Sequence, residues 1–201
     1  WEQRELGDLA GVYDGTHQTP NYMDSGIMFL SVENIKNLRS EKFISREAFQ
    51  TDFSVYPEKG DVLMTRIGDI GTANVFESDE PVAYYVSLAL LKKREIDPYF
   101  LKESIHSEST KKELWHRTLH IAFPKKINKN EIAKVPILYP FQKDEQAKIG
   151  DFFKQLDNLI TLHQREPNIT MEEQRWQKEP IIQKLFIRTT LVGSISTKKG
   201  Q

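Results

Sequence analysis

The sequence predicts a mixed α/β (α+β) domain followed by a long coiled-coil-type α-helix, and three observations predict it. Short β-prone runs occur at Ile27–Val32, Val62–Ile67 and Tyr84–Leu91, the first two bounded by Gly26 and Gly60. Helix start signals are interleaved with and follow these runs. After Pro140 the pattern changes, and apolar residues fall at Ile149, Phe153, Leu156 and Ile160. Steps of four, three and four residues make a heptad seam.

Each element has a local reason. Ser45 is expected to cap a short helix reaching Gln50. Asp97-Pro98 is a stronger signal, with Asp as N-cap and Pro at the first helical position, and Tyr99, Leu101 and Ile105 would form its apolar face. Ser107 or Ser109 would open a helix carrying Leu114 and Trp115. Asn128 with Glu131 has the spacing of a capping box before Ile132 and Ala133. Pro136 and Pro140 bracket an extended stretch, Ile137–Tyr139. The long helix would run from Asp144 to Glu166, where Glu166-Pro167-Asn168 ends it and Gly150 is its one internal breaker. A second apolar segment lies at Ile181–Ile187. The resulting domain expectation is 1–141 for the mixed domain, 142–188 for a helical spacer and 189–201 for a flexible tail. Two readings of the long helix stay open: a seam that faces another helix, or a terminal helix lying on its own domain. A helix of this length is marginal in water without a surface to pack on.

Composition narrows the function. The 201 residues are 38% hydrophobic and 28% charged, with a mean hydropathy of -0.55, values of a chain that folds around a core. With no cysteine, disulfides, cysteine zinc sites and cysteine nucleophiles are excluded. The longest apolar run, near Ala83–Leu91, is too short to span a bilayer; with no charged-then-apolar leader, a cytoplasmic protein is expected. The net charge of -1 is unevenly spread. Residues 1–91 hold 7 Lys or Arg against 15 Asp or Glu, residues 92–134 hold 11 against 6, and residues 135–201 hold 10 against 8. A chain that bound nucleic acid by bulk attraction alone would be basic throughout, so any DNA contact is expected to be local.

Catalytic signatures are missing. There is no GxxxxGK[ST] loop, no HExxH and no GxSxG elbow. His116 and His120 share a helical spacing without a third metal ligand. Asp97-Pro98-Tyr99-Phe100 lacks the second proline of an amino-methyltransferase motif, and Gly68 and Gly71 in RIGDIG read as a tight turn between strands.

Three segments together carry a resemblance. They are Trp1–Leu9 (WEQRELGDL) leading into Asp14–Tyr22 (DGTHQTPNY), then Gly60–Gly71 (GDVLMTRIGDIG), and finally Val135–Glu145 (VPILYPFQKDE) with Gln146, Ile149, Phe153, Leu156, Asp157 and Ile160. In this order they resemble one target-recognition domain and the adjoining conserved helix of the DNA-specificity subunit of type I restriction–modification enzymes. The resemblance covers about residues 1–165; Lys184-Leu185-Phe186 also resembles the end of the family's helical region, although Pro180 interrupts it. It implies a non-catalytic subunit that recognises one half of a bipartite double-stranded DNA target. It also implies methyltransferase and restriction subunits as partners, docked through the helix, with S-adenosylmethionine, ATP and Mg²⁺ on those subunits and no cofactor on this chain. Since one recognition domain is present, a half-subunit is expected to pair with a second copy through the helix, and its target should be a split palindrome.

On that reading the candidate DNA-binding residues are Thr16, His17, Gln18, Arg66, Asp69, Arg117, His120, Lys125 and Lys126. Gln can pair with adenine and Arg with guanine, while the basic group suits phosphates. Each has a plainer alternative: a structural turn closing on Pro20, an Arg66–Asp69 salt bridge, a solvated basic face. Lys92, Lys93 and Arg94 read as the exposed end of a strand. The helix interface is expected at Ile149, Phe153, Leu156 and Ile160. Two competing functions remain: a self-contained DNA methyltransferase or nuclease fragment with its own recognition domain, and a helical scaffold with no DNA role.

Overall fold

A computed structural model of the chain describes residues 1–165. The expectations for 167–180, Ile181–Ile187, Lys184-Leu185-Phe186 and 189–201 lie outside the described residues. The chain divides into two compact units, Trp1–Asp151 and Phe152–Gln201.

The first unit is built on a four-stranded antiparallel sheet of order β2–β8–β5–β6, from β2 (Ala10–Asp14), β5 (Val62–Ile67), β6 (Asp69–Val75) and β8 (Leu88–Lys93). Both faces are covered, which explains why the central strands are apolar without alternation. Val62, Met64, Ala89 and Leu91 face one core, with Leu6 and Leu9 of α1 (Leu6–Leu9) and Phe100, Leu101 and Ile105 of α3 (Pro98–His106). Leu114 of α4 (Glu108–His116) and Ile132 of α5 (Lys129–Ala133) complete that layer. Leu63, Leu88 and Leu90 face a second core. It is shared with β3 (Ile27–Leu30), β4 (Phe43–Ile44), β7 (Val82–Tyr84) and Phe49 of α2 (Arg46–Asp52). β3 pairs antiparallel with β4 and parallel with β7. A separate two-stranded pair joins β1 (Glu2–Glu5) to β9 (Pro136–Tyr139). Each fully buried leucine contributes about 1.5–3 kcal/mol, and a one-residue slip would exchange the two cores.

The strand expected over Tyr84–Leu91 is two strands in two sheets. Between them Tyr85 donates its N–H to Leu30 O at 2.8 Å and Val86 donates to Thr16 O at 2.9 Å, so residues 85–87 turn the chain from one sheet to the other. The caps follow the sequence closely. Ser45 Oγ accepts from Ala48 N, Asp97 Oδ1 accepts from Tyr99 N and Phe100 N, and Ser107 Oγ accepts from Thr110 N. The capping box expected at Asn128 is absent: its side chain makes no cap bond, and Glu131 binds Lys134 Nζ at 2.8 Å and Arg117 instead.

The long helix, α6, runs Lys143–Arg165. Its first turns pack within the first unit. Gln146 is 1% exposed, accepts from Asp97 N at 3.0 Å and donates to Pro140 O at 2.9 Å. Trp1 Nε1 donates to Glu145 Oε1, and Ile149 packs half-buried on the core. Gly150, read from sequence as a breaker, sits inside the helix where α6 meets the start of α3. A Cβ there would lie 2.5 Å from Asp97 Oδ1 and 2.9 Å from Phe100 N. Alanine would gain about 1 kcal/mol of helix propensity but collide with the cap, and overpacking costs roughly 1–3 kcal/mol. Gly150→Val, with a larger side chain and no such propensity gain, is expected to lower stability by about 2–3 kcal/mol in urea denaturation; unchanged stability would mean the approach is slack.

In the second unit the described residues continue α6 from Phe152, with the Phe152 and Phe153 rings 5.3 Å apart edge-to-face. Phe153 and Leu156 are buried and Ile160 is half-buried within the single chain, whereas Phe152, Leu159 and Leu162 are exposed. Since each residue turns the helix by about 100°, the two sets occupy adjacent sectors of one wide apolar face. Of the expected interface, Phe153 and Leu156 are buried and Ile149 and Ile160 half-buried, so most of the exposed apolar surface of α6 among the described residues comes from Phe152, Leu159 and Leu162.

Candidate nucleic-acid interface

Four segments meet at one rim of the four-stranded sheet, where β2 and β5 end and β6 and β8 begin. The β5–β6 turn is tight, with Ile67 opposite Asp69 and only Gly68 between. Gly68 has φ +82 and nothing within 4 Å of where a Cβ would stand, so backbone conformation rather than space requires glycine. Three residues on, Gly71 (φ +91) opens a bulge opposite Thr65, whose Oγ1 accepts from Thr72 N at 3.0 Å. The segment after β2 is held by Thr16, which bridges to Tyr85 and accepts from Val86 N. The loop after α4 returns as Lys125 O accepts from Gly68 N at 2.8 Å and Ile127 N donates to Arg66 O at 3.0 Å.

Arg66 ties these segments together from inside. It is 5% exposed. Its Nε donates to Ile127 O at 2.9 Å, its Nη1 to Asp14 Oδ1 at 2.5 Å and to Val86 O at 3.5 Å, and its own N–H to Ser87 O. The guanidinium fork reaches three separated segments at once, which a lysine could not do. Arg66 is thus corrected from a base reader to a buried strut, and the alternative Arg66–Asp69 salt bridge is absent as well. Asp69 Oδ2 instead accepts from Thr72 Oγ1 at 2.6 Å. Tyr84 supports the same point by donating its hydroxyl to Asp14 O. Burial, with the Asp14 charge adding, pushes the Tyr84 hydroxyl well above its ordinary value, so it stays a donor.

The remaining candidates divide by availability. His17 and Gln18 are exposed, while the Thr16 hydroxyl accepts from Gln18 N in a local turn. Lys125 and Lys126 are exposed, and Lys125 Nζ sits 4.5 Å from the Trp115 ring centroid. The His120 ring lies against Trp115, centroids 4.3 Å apart and planes tilted by 58°, with Nε2 3.0 Å from Trp115 O. Arg117 is half-buried between Glu113 and Glu131, each at 3.4 Å. The hydrogen bond from Lys134, with Arg117 adding, holds the Glu131 carboxyl below its ordinary value, so the Arg117 cation is largely spent internally.

The opposite rim is different. There Lys92 Nζ meets Glu58 at 2.8 Å and Asp61 at 3.1 Å, and Lys93 Nζ donates to Lys59 O. Burial opposes the Lys92 charge, but hydrogen bonds to Glu58 and Asp61 outweigh it and raise its pKa. Sequence reasoning missed Asp14, which pairs with Arg66 across 52 positions, and the exposed Ile121 and Phe123. The one available signal was the run Phe123-Pro124-Lys125-Lys126, an aromatic beside two cations. Among the described residues no group of three or more His, Asp or Glu could hold a metal ion, and no helix is long and apolar enough to cross a membrane.

The fold has counterparts among known proteins. The chain is similar to the HsdS subunit from Thermoanaerobacter tengcongensis, with a TM-score of 0.61 and 20% identity over 94% of this chain and 44% of that one. It is similar to the type I restriction-modification S subunit from M. genitalium, with a TM-score of 0.55 and 15% identity over 81% of this chain and 41% of that one. A third similar chain was solved in work on complex assembly and conformational transition of the type I R-M system, with a TM-score of 0.62 and 18% identity over 96% and 45%. The chain therefore spans less than half the length of each of these. No curated protein matches it. The model of the type I restriction modification DNA specificity domain matches residues 1–171, and the chain belongs to that family.

Proposed function

We propose that this chain reads one half of a bipartite DNA target and leaves methyl transfer and cleavage to methyltransferase and restriction subunits, which carry S-adenosylmethionine, ATP and Mg²⁺. The observation that carries this reading is the gathering of His17, Gln18, His120, Lys125 and Lys126 onto loops of one sheet rim around the buried Arg66. Side-chain donors and acceptors on loops supply base readout, and the two exposed lysines supply phosphate contacts. An acidic remainder fits a complex in which partners provide the bulk attraction.

The exposed stripe Phe152, Leu159 and Leu162 is the surface offered to another helix. Two copies paired there would present identical recognition domains in opposite orientation, so the target would be a split palindrome. The test is to reconstitute the chain with its methyltransferase subunit and map the methylated adenines. A two-part inverted motif is expected. Methylation without sequence preference would overturn the recognition role, and an asymmetric motif would overturn pairing with a second copy. Leu159→Glu places a charge in the stripe and is expected to abolish assembly in light scattering while leaving the fold of residues 1–151 intact by circular dichroism. Retained assembly would place the partner surface elsewhere.

A further inference from the structure

Ile121 and Phe123 are 99% and 104% exposed, two large apolar side chains separated by one residue on the same loop. Such residues are common singly on a surface, but a fully bare pair marks a contact site. Their loop has a closed neck. Leu119 N donates to Lys126 O at 2.8 Å, Thr118 Oγ1 donates to Leu114 O at 2.7 Å, and Lys125 O accepts from Gly68 N at 2.8 Å. Ile127, just past the neck, is fully buried and hydrogen-bonded through its carbonyl to Arg66. The apolar pair therefore stands at the tip of a loop whose base is fixed to the sheet rim.

Charge identifies what that tip meets. Between Thr118 and Lys129 there are three lysines and no acid, and Lys125 and Lys126, both exposed, follow the tip after Pro124. The centre of a protein–protein interface is depleted of lysine. Apolar wedges that enter DNA are instead flanked by cations that hold the phosphates on either side of the opened step. A phenylalanine with nothing against it can stack on a base, and an isoleucine can fill the gap beside it.

We propose that Ile121 and Phe123 form a wedge that inserts into a base step of the bound duplex, unstacking it and bending the DNA. The proposal rests on the reading of this rim as the DNA face, and the experiment separates the two. The reconstituted complex of this chain with its methyltransferase subunit is mixed with a duplex carrying the mapped methylation motif. Single 2-aminopurines report unstacking at each position, and end-labelled dyes report bending. Wild type is expected to brighten one or two adjacent positions in each half-site, other than the target adenine that a methyltransferase turns out of the stack, and to shorten the end-to-end distance. Phe123→Ala and Ile121→Ala should lose both signals and bind about tenfold to a hundredfold more weakly, with Phe123→Trp restoring the unstacking. Both side chains are solvent-exposed, so the fold should be unchanged by circular dichroism. If Lys125→Ala combined with Lys126→Ala leaves affinity and its salt dependence unaltered, the rim is not the DNA face and the wedge falls with it. If that pair weakens binding while the Phe123 and Ile121 variants keep full unstacking and bending, the DNA face stands and the wedge is overturned. If the Phe123 and Ile121 variants instead lose the methyltransferase subunit, the tip is a protein contact and the wedge is again overturned.

Discussion

Arg66→Ala is expected to lower the stability of the first unit by about 3 kcal/mol and to abolish sequence selectivity together with it. Removing one member of a buried ion pair leaves an uncompensated charge, typically about 3–5 kcal/mol. Asp14 retains 22% side-chain exposure, so solvent would relieve part of that cost. Against this relief, Ile127 O and Val86 O would lose donors, at roughly 1 kcal/mol each. At about 2–4 °C per kcal/mol for a chain of this size, the melting temperature should fall by roughly 6–12 °C. Arg66→Met with Asp14→Leu separates stability from positioning. Replacing both ionic partners should recover most of the stability, yet leave Ile127 O without its guanidinium donor, so that the loop after α4 is held by backbone bonds alone and selectivity falls. Recovery of both would show that the strut does not set the loops.

Gln146→Leu should have an effect of similar size through a different cause. Leucine nearly matches the glutamine in volume, so no cavity forms and the loss reports hydrogen bonds alone. The substitution strands Asp97 N and Pro140 O, both satisfied by this one buried amide. A buried group left unpaired costs about 1–3 kcal/mol, giving roughly 2–6 kcal/mol for the two. Gln146→Glu keeps the acceptor for Asp97 N but loses the donor to Pro140 O and buries an unpaired carboxyl group, so it should cost at least as much at neutral pH. Hydrogen exchange is expected to rise first in the opening turns of α6 and at the start of α3. Uniform loss of protection across the sheet would instead make Gln146 a general core residue.

Local signals survived folding best. Ser45, Asp97 and Ser107 act within three residues of themselves, and each makes the cap bond its type and position imply. Val62–Ile67 is legible because a strand buried on both faces is apolar throughout. The break after Tyr84 depends on Leu30 and Thr16, more than fifty positions away in sequence, so the run to Leu91 reads as one strand. β1 is polar along its whole length and exists because β9 pairs with it across more than 130 residues, which no short window registers. The interface shows the same division. The sequence names most residues at the rim, but the topology decides which are free: it buries Arg66, pairs Arg117 with two glutamates and leaves Lys125 and Lys126 open. The wedge residues sit on a loop without periodicity, where side-chain spacing carries no information.

A sheet sealed by two cores, with every candidate contact hung from one edge, separates what holds the molecule together from what it selects. On the reading proposed above, exchanging residues 15–26 and 117–126 between relatives, with Arg66 and Asp14 retained, should change the message without rewriting the page it is printed on, so that new addresses would be reachable by loop grafting.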